Sequence, residues 1–188
     1  MIIIVLRSVI CVAGLILLFP LLAFVCLMVA LEDGFPIIFS QARLGKDKKI
    51  FKIYKIRTMK KNAPQTGTHN LSSSYHLNTG KVIRALKLDE FPQLINILKG
   101  DIDLVGPRPG LPEQNELTKA RMKRNIFNNK PGITGLAQIC GYDMSNPERL
   151  SQIDELYFQN QSYKLDSLIL LGTFFKVARN YIQKELKI

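Results

Sequence analysis

The sequence predicts an α/β protein, mostly helical, with one membrane helix at its start and a small β-hairpin behind it. Three observations carry this. Ser8 to Leu31 runs without a charge, which exceeds the roughly 20 apolar residues that a membrane helix needs. Residues 37–59 alternate in part around a polar turn, the pattern of two paired strands. Beyond residue 80, prolines near starts, glycines past ends and apolar residues at helical spacing mark a series of helices. At 188 residues the chain is long enough for one domain with a core of its own. Residues 1–31 form the membrane segment. Residues 32–188 form a single cytoplasmic, membrane-associated functional unit.

The membrane stretch carries Pro20 near its middle. Proline removes one backbone hydrogen bond and crowds the preceding turn, so it kinks a helix. Each half, at about 18 Å, is shorter than a hydrocarbon core of about 30 Å. Two paths follow: a kinked helix that spans once, or a bent one that enters and leaves on the same face. Every acidic residue and every basic residue but Arg7 lies beyond residue 31. The positive-inside rule therefore sets the large domain in the cytoplasm on either path.

Net charge is +11, from 26 basic and 15 acidic residues, and calls for an anionic partner. No nucleic-acid motif is present and the aromatic residues are not interleaved with the basic ones, so nucleic acid is not the expected partner. Cys11, Cys26 and Cys140 have no metal spacing and read as free thiols in a reducing compartment.

Taken in order, Leu31 to Pro36 is the turn leaving the membrane. Ile37 to Phe39 is a short strand, Gly45 to Lys49 a polar turn, and Ile50 to Met59 the second strand of a hairpin. Lys55 and Arg57 share a strand face with Ile53, where they are either solvated or suited to phosphate. Asn62 to Gly80 reads as a loop, with His69 and His76 in no convincing metal pattern. Its Asn70-Leu71-Ser72 sequon would go unmodified in the cytoplasm. Lys81 to Lys87 reads as a short helix with Val82, Ile83 and Leu86 inward. Arg84 lies five residues before Asp89 and is near enough to share its site.

Lys87-Leu88-Asp89-Glu90-Phe91-Pro92 is the centre of the chain. Two adjacent carboxylates precede a proline and an apolar run that ends at Gly100. This is helix punctuation, with Asp89 as N-cap. A helix start favours anions and would keep Asp89 ionised, able to act as a nucleophile. The plainer reading is a cap and a solvated neighbour.

Further on, Pro107 and Pro109 flank Arg108 and fix φ on both sides, a rigid setting that suits anion recognition. Pro112 to Asn125 is a charged helix, with Lys119, Arg121, Lys123, Arg124 and Lys130 as a basic cluster. That cluster is either a solvated face or a headgroup contact. Pro131 to Gly135 is a turn into a strand at Leu136 to Cys140. Pro147 to Gln161 is a helix capped by Asn146. Leu165 to Leu186 is an apolar helix interrupted by lysines, suited to the core or to the membrane interface.

Four segments in this order resemble the bacterial sugar transferases, the monotopic phosphoglycosyl transferases that initiate glycan assembly. They are Phe51-Lys52-Ile53-Tyr54-Lys55-Ile56-Arg57-Thr58-Met59, Leu88-Asp89-Glu90-Phe91-Pro92-Gln93-Leu94, Gly100 to Pro109, and Lys130-Pro131-Gly132-Ile133-Thr134-Gly135. The resemblance implies a re-entrant helix broken at Pro20, interfacial amphipathic helices, and a place at the bacterial inner membrane with the catalytic domain on the cytoplasmic face. It implies a UDP-sugar donor, a polyprenyl (undecaprenyl) phosphate acceptor, contact with membrane lipids, and Mg²⁺.

The family's catalytic pair falls on Asp89 and Glu90, which are also its metal candidates. Its phosphate- and nucleotide-contacting residues fall on Arg84, Arg108 and Pro109, with Lys55 and Arg57 beside them. The implied reaction passes through an aspartyl-phosphosugar at Asp89 and releases UMP. Two positions depart from the pattern: Phe19 stands where relatives often have Ser, and Leu136 where they often have Trp. The rival to an enzyme is a membrane-anchored basic binding or scaffold protein. The sequence names neither the sugar nor the oligomeric state, and leaves a homo-oligomer open.

Overall fold

The computed structural model describes residues 2–64, 73–186 and 188. His69 and the Asn70–Ser72 sequon lie outside the described residues. The chain forms two compact units, residues 1–41 with 53–98, and residues 42–52 with 99–188.

In the first unit, α1 (Ile2–Asp33) is a single helix of 32 residues that includes Pro20. The expected break is therefore not a gap in the helix. A proline forfeits its own N–H bond, and the turns on either side still close. The apolar side chains from residue 12 onward face outward for most of the length, with Leu17 79% and Phe19 68% exposed. Such a surface needs a nonpolar surrounding, and α1 is long and apolar enough to cross a membrane.

Among its described side chains, the buried ones lie in the last turns. Val25 and Val29 pack with Ile56, Leu77, Ile83 and Leu88. Strands β1 (Ile38–Leu44) and β2 (Ile50–Ile56) pair as the expected hairpin, closed at its open end by Arg57 N–H to the Ile37 carbonyl at 2.8 Å.

Helix α2 (Asn78–Ala85) begins earlier than the sequence suggested. It buries Ile83, while Val82 and Leu86 are 60% and 58% exposed. The helix lies on the end of the hairpin through Gly80. A Cβ there would stand 2.3 Å from the Thr58 carbonyl oxygen, so only glycine permits the approach. Helix α3 (Gln93–Lys99) ends, as expected, at Gly100 with φ +81°. Its fully buried Asn96 accepts a hydrogen bond from the Tyr54 N–H of β2 at 3.2 Å.

In the second unit, β3 (Asp103–Val105) and β4 (Gly132–Thr134) pair in parallel, Asp103 opposite Gly132 and Val105 opposite Thr134. Around them run α4 (Asn115–Lys123), α5 (Leu136–Ile139), α6 (Pro147–Gln159), α7 (Tyr163–Phe174) and α8 (Lys176–Leu186). Their core gathers Leu117, Leu136, Ile153, Tyr157, Ile169 and Ile182.

The strand expected at Leu136 to Cys140 is instead the turn of helix α5, and Gly132-Ile133-Thr134 is the strand. A short apolar run buried on all sides has no period to tell helix from strand, whereas β-branched Ile133 and Thr134 favour the sheet. The Leu165 to Leu186 helix is two. Ser162 caps the first, accepting from Leu165 N–H at 3.2 Å, and extended Phe175 separates them. The cap at Asn146 is as expected, accepting from Arg149 N–H at 3.0 Å.

Candidate active site

Asp89 lies in a 3-10 turn, Leu88–Glu90, that follows Lys87 in the left-handed region at φ +59°. It is not the N-cap of α3, which starts four residues later at Gln93. The Pro92 ring fits at the entry to α3 while the acidic pair occupies the tighter turn before it. Leu88 enters the core beside Ile83 and Val29 and carries Asp89 inward, leaving it 6% exposed.

Burial raises the Asp89 pKa above the usual carboxylate value. Lys55 opposes that rise, Glu90 adds to it, and Arg84 and the residue's own backbone N–H oppose it, with a net shift upward. A helix start alone would have lowered it; here desolvation dominates. The site thus holds a carboxylate that is poorly solvated and reactive when ionised.

The neighbours are ordered. Lys55 Nζ lies 2.8 Å from Glu90 Oε1, with both side chains about six-sevenths buried, at 15% and 16% exposure. The pair holds one cation beside two adjacent carboxylates. Arg84, on α2, places Nη1 3.3 and 3.4 Å from the two ring nitrogens of His76. Burial, then Arg84 and Lys81, lower the His76 pKa, so the ring is neutral at pH 7 and tolerates the guanidinium. The structure thus brings Lys55, Arg84, Asp89 and Glu90 together in the first unit.

Arg57 has a different setting. Its guanidinium pairs with Asp33 and donates to the carbonyls of Asp33, Gly34, Pro36 and Met59, and all three of its nitrogens are engaged. It fastens the end of α1 to β2. Glu32 works alongside, accepting from the N–H groups of Asn78 and Thr79 at 2.7 and 3.0 Å. It satisfies the start of α2, a role capping side chains commonly fill.

Arg108 and Pro109 belong to the second unit. Pro109 is buried and Arg108 half-buried. The Arg108 carbonyl accepts from Arg121 Nη1 at 2.8 Å. Arg121 was read as one of a basic cluster, but it is buried and bonded twice to Asp154, at 3.0 and 2.7 Å. Arg124 pairs with Glu148 and Glu155. Among the described residues, no group of three or more His, Cys, Asp or Glu could hold a metal by itself. Cys26 and Cys140 are free thiols, as expected.

Sequence reasoning missed Glu32, Arg43, Asn96, the Arg121–Asp154 pair and the Arg84–His76 contact. All but the last join positions 33 to 66 residues apart, beyond the reach of any local pattern.

Comparisons with known proteins identify the family of the chain. A family model described as bacterial sugar transferase matches residues 2–180. The chain is 40% identical over 158 residues to the uncharacterized sugar transferase EpsL of Bacillus subtilis, covering 84% of this chain and 77% of that one. It is 36% identical to the UDP-N-acetylgalactosamine-undecaprenyl-phosphate N-acetylgalactosaminephosphotransferase of Aeromonas hydrophila, over 86% of this chain and 40% of the relative. It is 34% identical to the UDP-glucose:undecaprenyl-phosphate glucose-1-phosphate transferase of Klebsiella pneumoniae, over 86% of this chain and 37% of the relative. The chain thus spans about two-fifths of the latter two. A match over nearly the whole chain, with the acidic pair on a buried turn beside Lys55 and Arg84, places it: the protein belongs to the bacterial sugar transferase family.

Proposed function

We propose that this protein transfers a sugar-1-phosphate from a UDP-sugar to a polyprenyl phosphate, releasing UMP, as the first membrane step of a bacterial glycan. The observation that carries the reading is the buried Asp89 beside Glu90, Lys55 and Arg84, in a chain whose relatives carry UDP-sugar and undecaprenyl phosphate in their names.

The Asp89 carboxylate attacks the β-phosphorus of the donor. The bond to the bridging oxygen breaks, UMP leaves with that oxygen, and an aspartyl-phosphosugar remains. A polyprenyl phosphate oxygen then attacks the same phosphorus. The acyl-phosphate bond breaks, Asp89 regains its carboxylate, and polyprenyl-diphosphate-sugar departs. The covalent route divides one displacement between two anions into two steps. Arg84 and Lys55, the cations beside Asp89, offset charge on the phosphoryl oxygens, and the resemblance adds Arg108 as a phosphate contact. Lys55 also holds Glu90 away from Asp89's approach to phosphorus. Arg57 supports the site from the end of α1.

Mg²⁺ takes few carboxylates and completes its shell with phosphate oxygens and water, so one acidic pair suits it. Asp89 and Glu90 would hold it, and it would supply charge neutralisation on the diphosphate.

The acceptor's tail stays in the bilayer, so its phosphate sits at headgroup height. Two features support a site at that depth on the cytoplasmic face of the inner membrane. The end of α1 is fastened directly to α2 and β2 through Glu32 and Asp33. Helices α7 and α8 expose Tyr163, Phe174, Phe175 and Val177 among lysines suited to an interface. A re-entrant α1, bent at Pro20, keeps both ends on that face.

The test is UMP release from the protein in native lipid particles, given Mg²⁺, undecaprenyl phosphate and a panel of UDP-sugars. Release with one sugar, abolished by Asp89→Asn, is expected. Silence across the panel from folded protein would refute the reading.

A further inference from the structure

Four consecutive carbonyls in the Pro107–Gly110 segment are each anchored. Gly132 N–H donates to Pro107 at 2.9 Å. Arg121 Nη1 donates to Arg108 at 2.8 Å, and Arg43 Nη1 to Pro109 at 3.1 Å. Leu44 N–H donates to Gly110 at 3.0 Å. Two of these donors are backbone groups of neighbouring strands. The other two are arginine side chains, an unusual expense for a loop, since a buried guanidinium must be desolvated. The cost shows on Arg43, whose pKa falls to about 10, first from burial and then from the nearby Arg108.

The Arg108 side chain leaves the backbone between two peptide planes. The plane before it is fixed by Pro107 O on Gly132 N–H. A Cβ on Gly132 would lie 2.2 Å from Gly106 N, so a glycine is needed for the two segments to meet and this bond to form. The plane after it is fixed by Arg121. With both planes set, φ and ψ of Arg108 are set, and so is the direction of its Cβ. Asp154 completes the device: its Oδ2 takes both Arg121 Nε and Nη2, with the two side chains 3% and 2% exposed. The fork cannot rotate away from the Arg108 carbonyl without breaking a buried ion pair.

A buried pair of this kind is seldom a net source of stability, because apolar residues of similar volume can replace it at little cost. Its use lies elsewhere. We propose that Arg121, oriented by Asp154, is a positioning residue that aims Arg108 at the donor's diphosphate. The proposal rests on the reading of Arg108 as a phosphate contact given above.

The experiment measures UDP affinity by calorimetry, with Mg²⁺, on the full chain in native lipid particles. UDP serves as the probe because every donor in the panel contains it. Four proteins form a cycle: the unaltered chain, Arg108→Ala, the double replacement Arg121→Met with Asp154→Leu, and all three changes together. Arg108→Ala is expected to weaken UDP binding about tenfold, and the pair replacement to weaken it by a similar factor. In the Arg108→Ala background the pair replacement is expected to add less than about twofold, because its effect runs through Arg108.

A pair replacement that weakens binding equally in both backgrounds, or leaves it unchanged in the unaltered one, overturns the proposal and leaves the Arg108 reading intact. An Arg108→Ala protein that binds UDP normally sinks the Arg108 reading, and the proposal with it. If the apolar pair fails to fold, Arg121→Lys enters the same cycle. Lysine keeps the charge beside Asp154 but cannot also reach the carbonyl as a fork, so the same coupled loss of affinity is expected, and full affinity in Arg121→Lys overturns the proposal.

Discussion

Asp89 is held under two opposing demands: its chemistry needs the charged form, and its burial penalises it. The folded value lies above the unfolded one, so the folded state keeps its proton to higher pH. The resulting penalty is absent below the unfolded pKa, about 3.9. It grows as pH rises towards the folded value and is complete at neutral pH. Asp89→Asn is therefore expected to abolish UMP release while raising the melting temperature by about 3 °C at pH 7.5, read by thermal unfolding in detergent. A lower melting temperature would mean that Lys55 and Arg84 outweigh desolvation.

The same shift is expected to move the acid limb of the pH–rate profile upward from that of an unburied aspartate. Lys55 is the strongest opposing charge, so Lys55→Met should move that limb to higher pH and lower the maximal rate; an unmoved limb would exclude Lys55 from the titration. At this scale the acidic pair was legible, because adjacency is a property of sequence. The role of Arg57 was not. Its partners, Asp33 and Pro36, lie 24 and 21 residues away, and a strand face shared with Lys55 does not reveal them.

Among the elements, α2 and α3 bring Arg84 and the Asp89 turn onto the hairpin, with Gly80 and Asn96 at their contacts with it. Gly80→Ala would drive a methyl group into the Thr58 carbonyl, and is expected to destabilise the protein by about 2 kcal/mol. Asn96→Ala would leave the Tyr54 N–H without its acceptor in a buried site, also at a cost of about 2 kcal/mol. Both are measurable as shifts in denaturant midpoint, and an effect below about 0.5 kcal/mol would mean that the elements dock by other contacts.

The hairpin, the Asn146 cap and the Gly100 stop were legible, since each is written in neighbouring residues. The break at Phe175 was not. A residue in extended conformation between two apolar helical turns carries no signature, and the packing that favours the break is tertiary: a Cβ on Gly172 would meet Ile139 at 3.1 Å and Arg179 at 3.3 Å. Helix α5 was misread for the related reason that complete burial erases periodicity.

For the molecule as a whole, a net charge of +11 pointed to an anionic partner without naming it, and the basic residues behind that excess are not those of internal ion pairs. Arg121 is neutralised by Asp154 and Arg124 by two glutamates. Asp154→Ala, which leaves Arg121 buried and unpaired, is expected to cost about 3–5 kcal/mol, far more than losing the exposed Lys164–Glu185 pair. The family was legible because its four segments are local and appear in order, whereas the clamps that give them geometry are long-range.

The central claim is that Asp89 becomes covalently attached to the donor's phosphosugar. The most direct measurement is the intact mass of the protein after incubation with Mg²⁺ and the active UDP-sugar, with polyprenyl phosphate withheld. A mass gain of one sugar phosphate, mapped to Asp89, discharged on adding acceptor and absent from Asp89→Asn, is the expected result. UMP release that proceeds with acceptor while no adduct forms at any time would contradict it, and would assign the reaction to direct displacement.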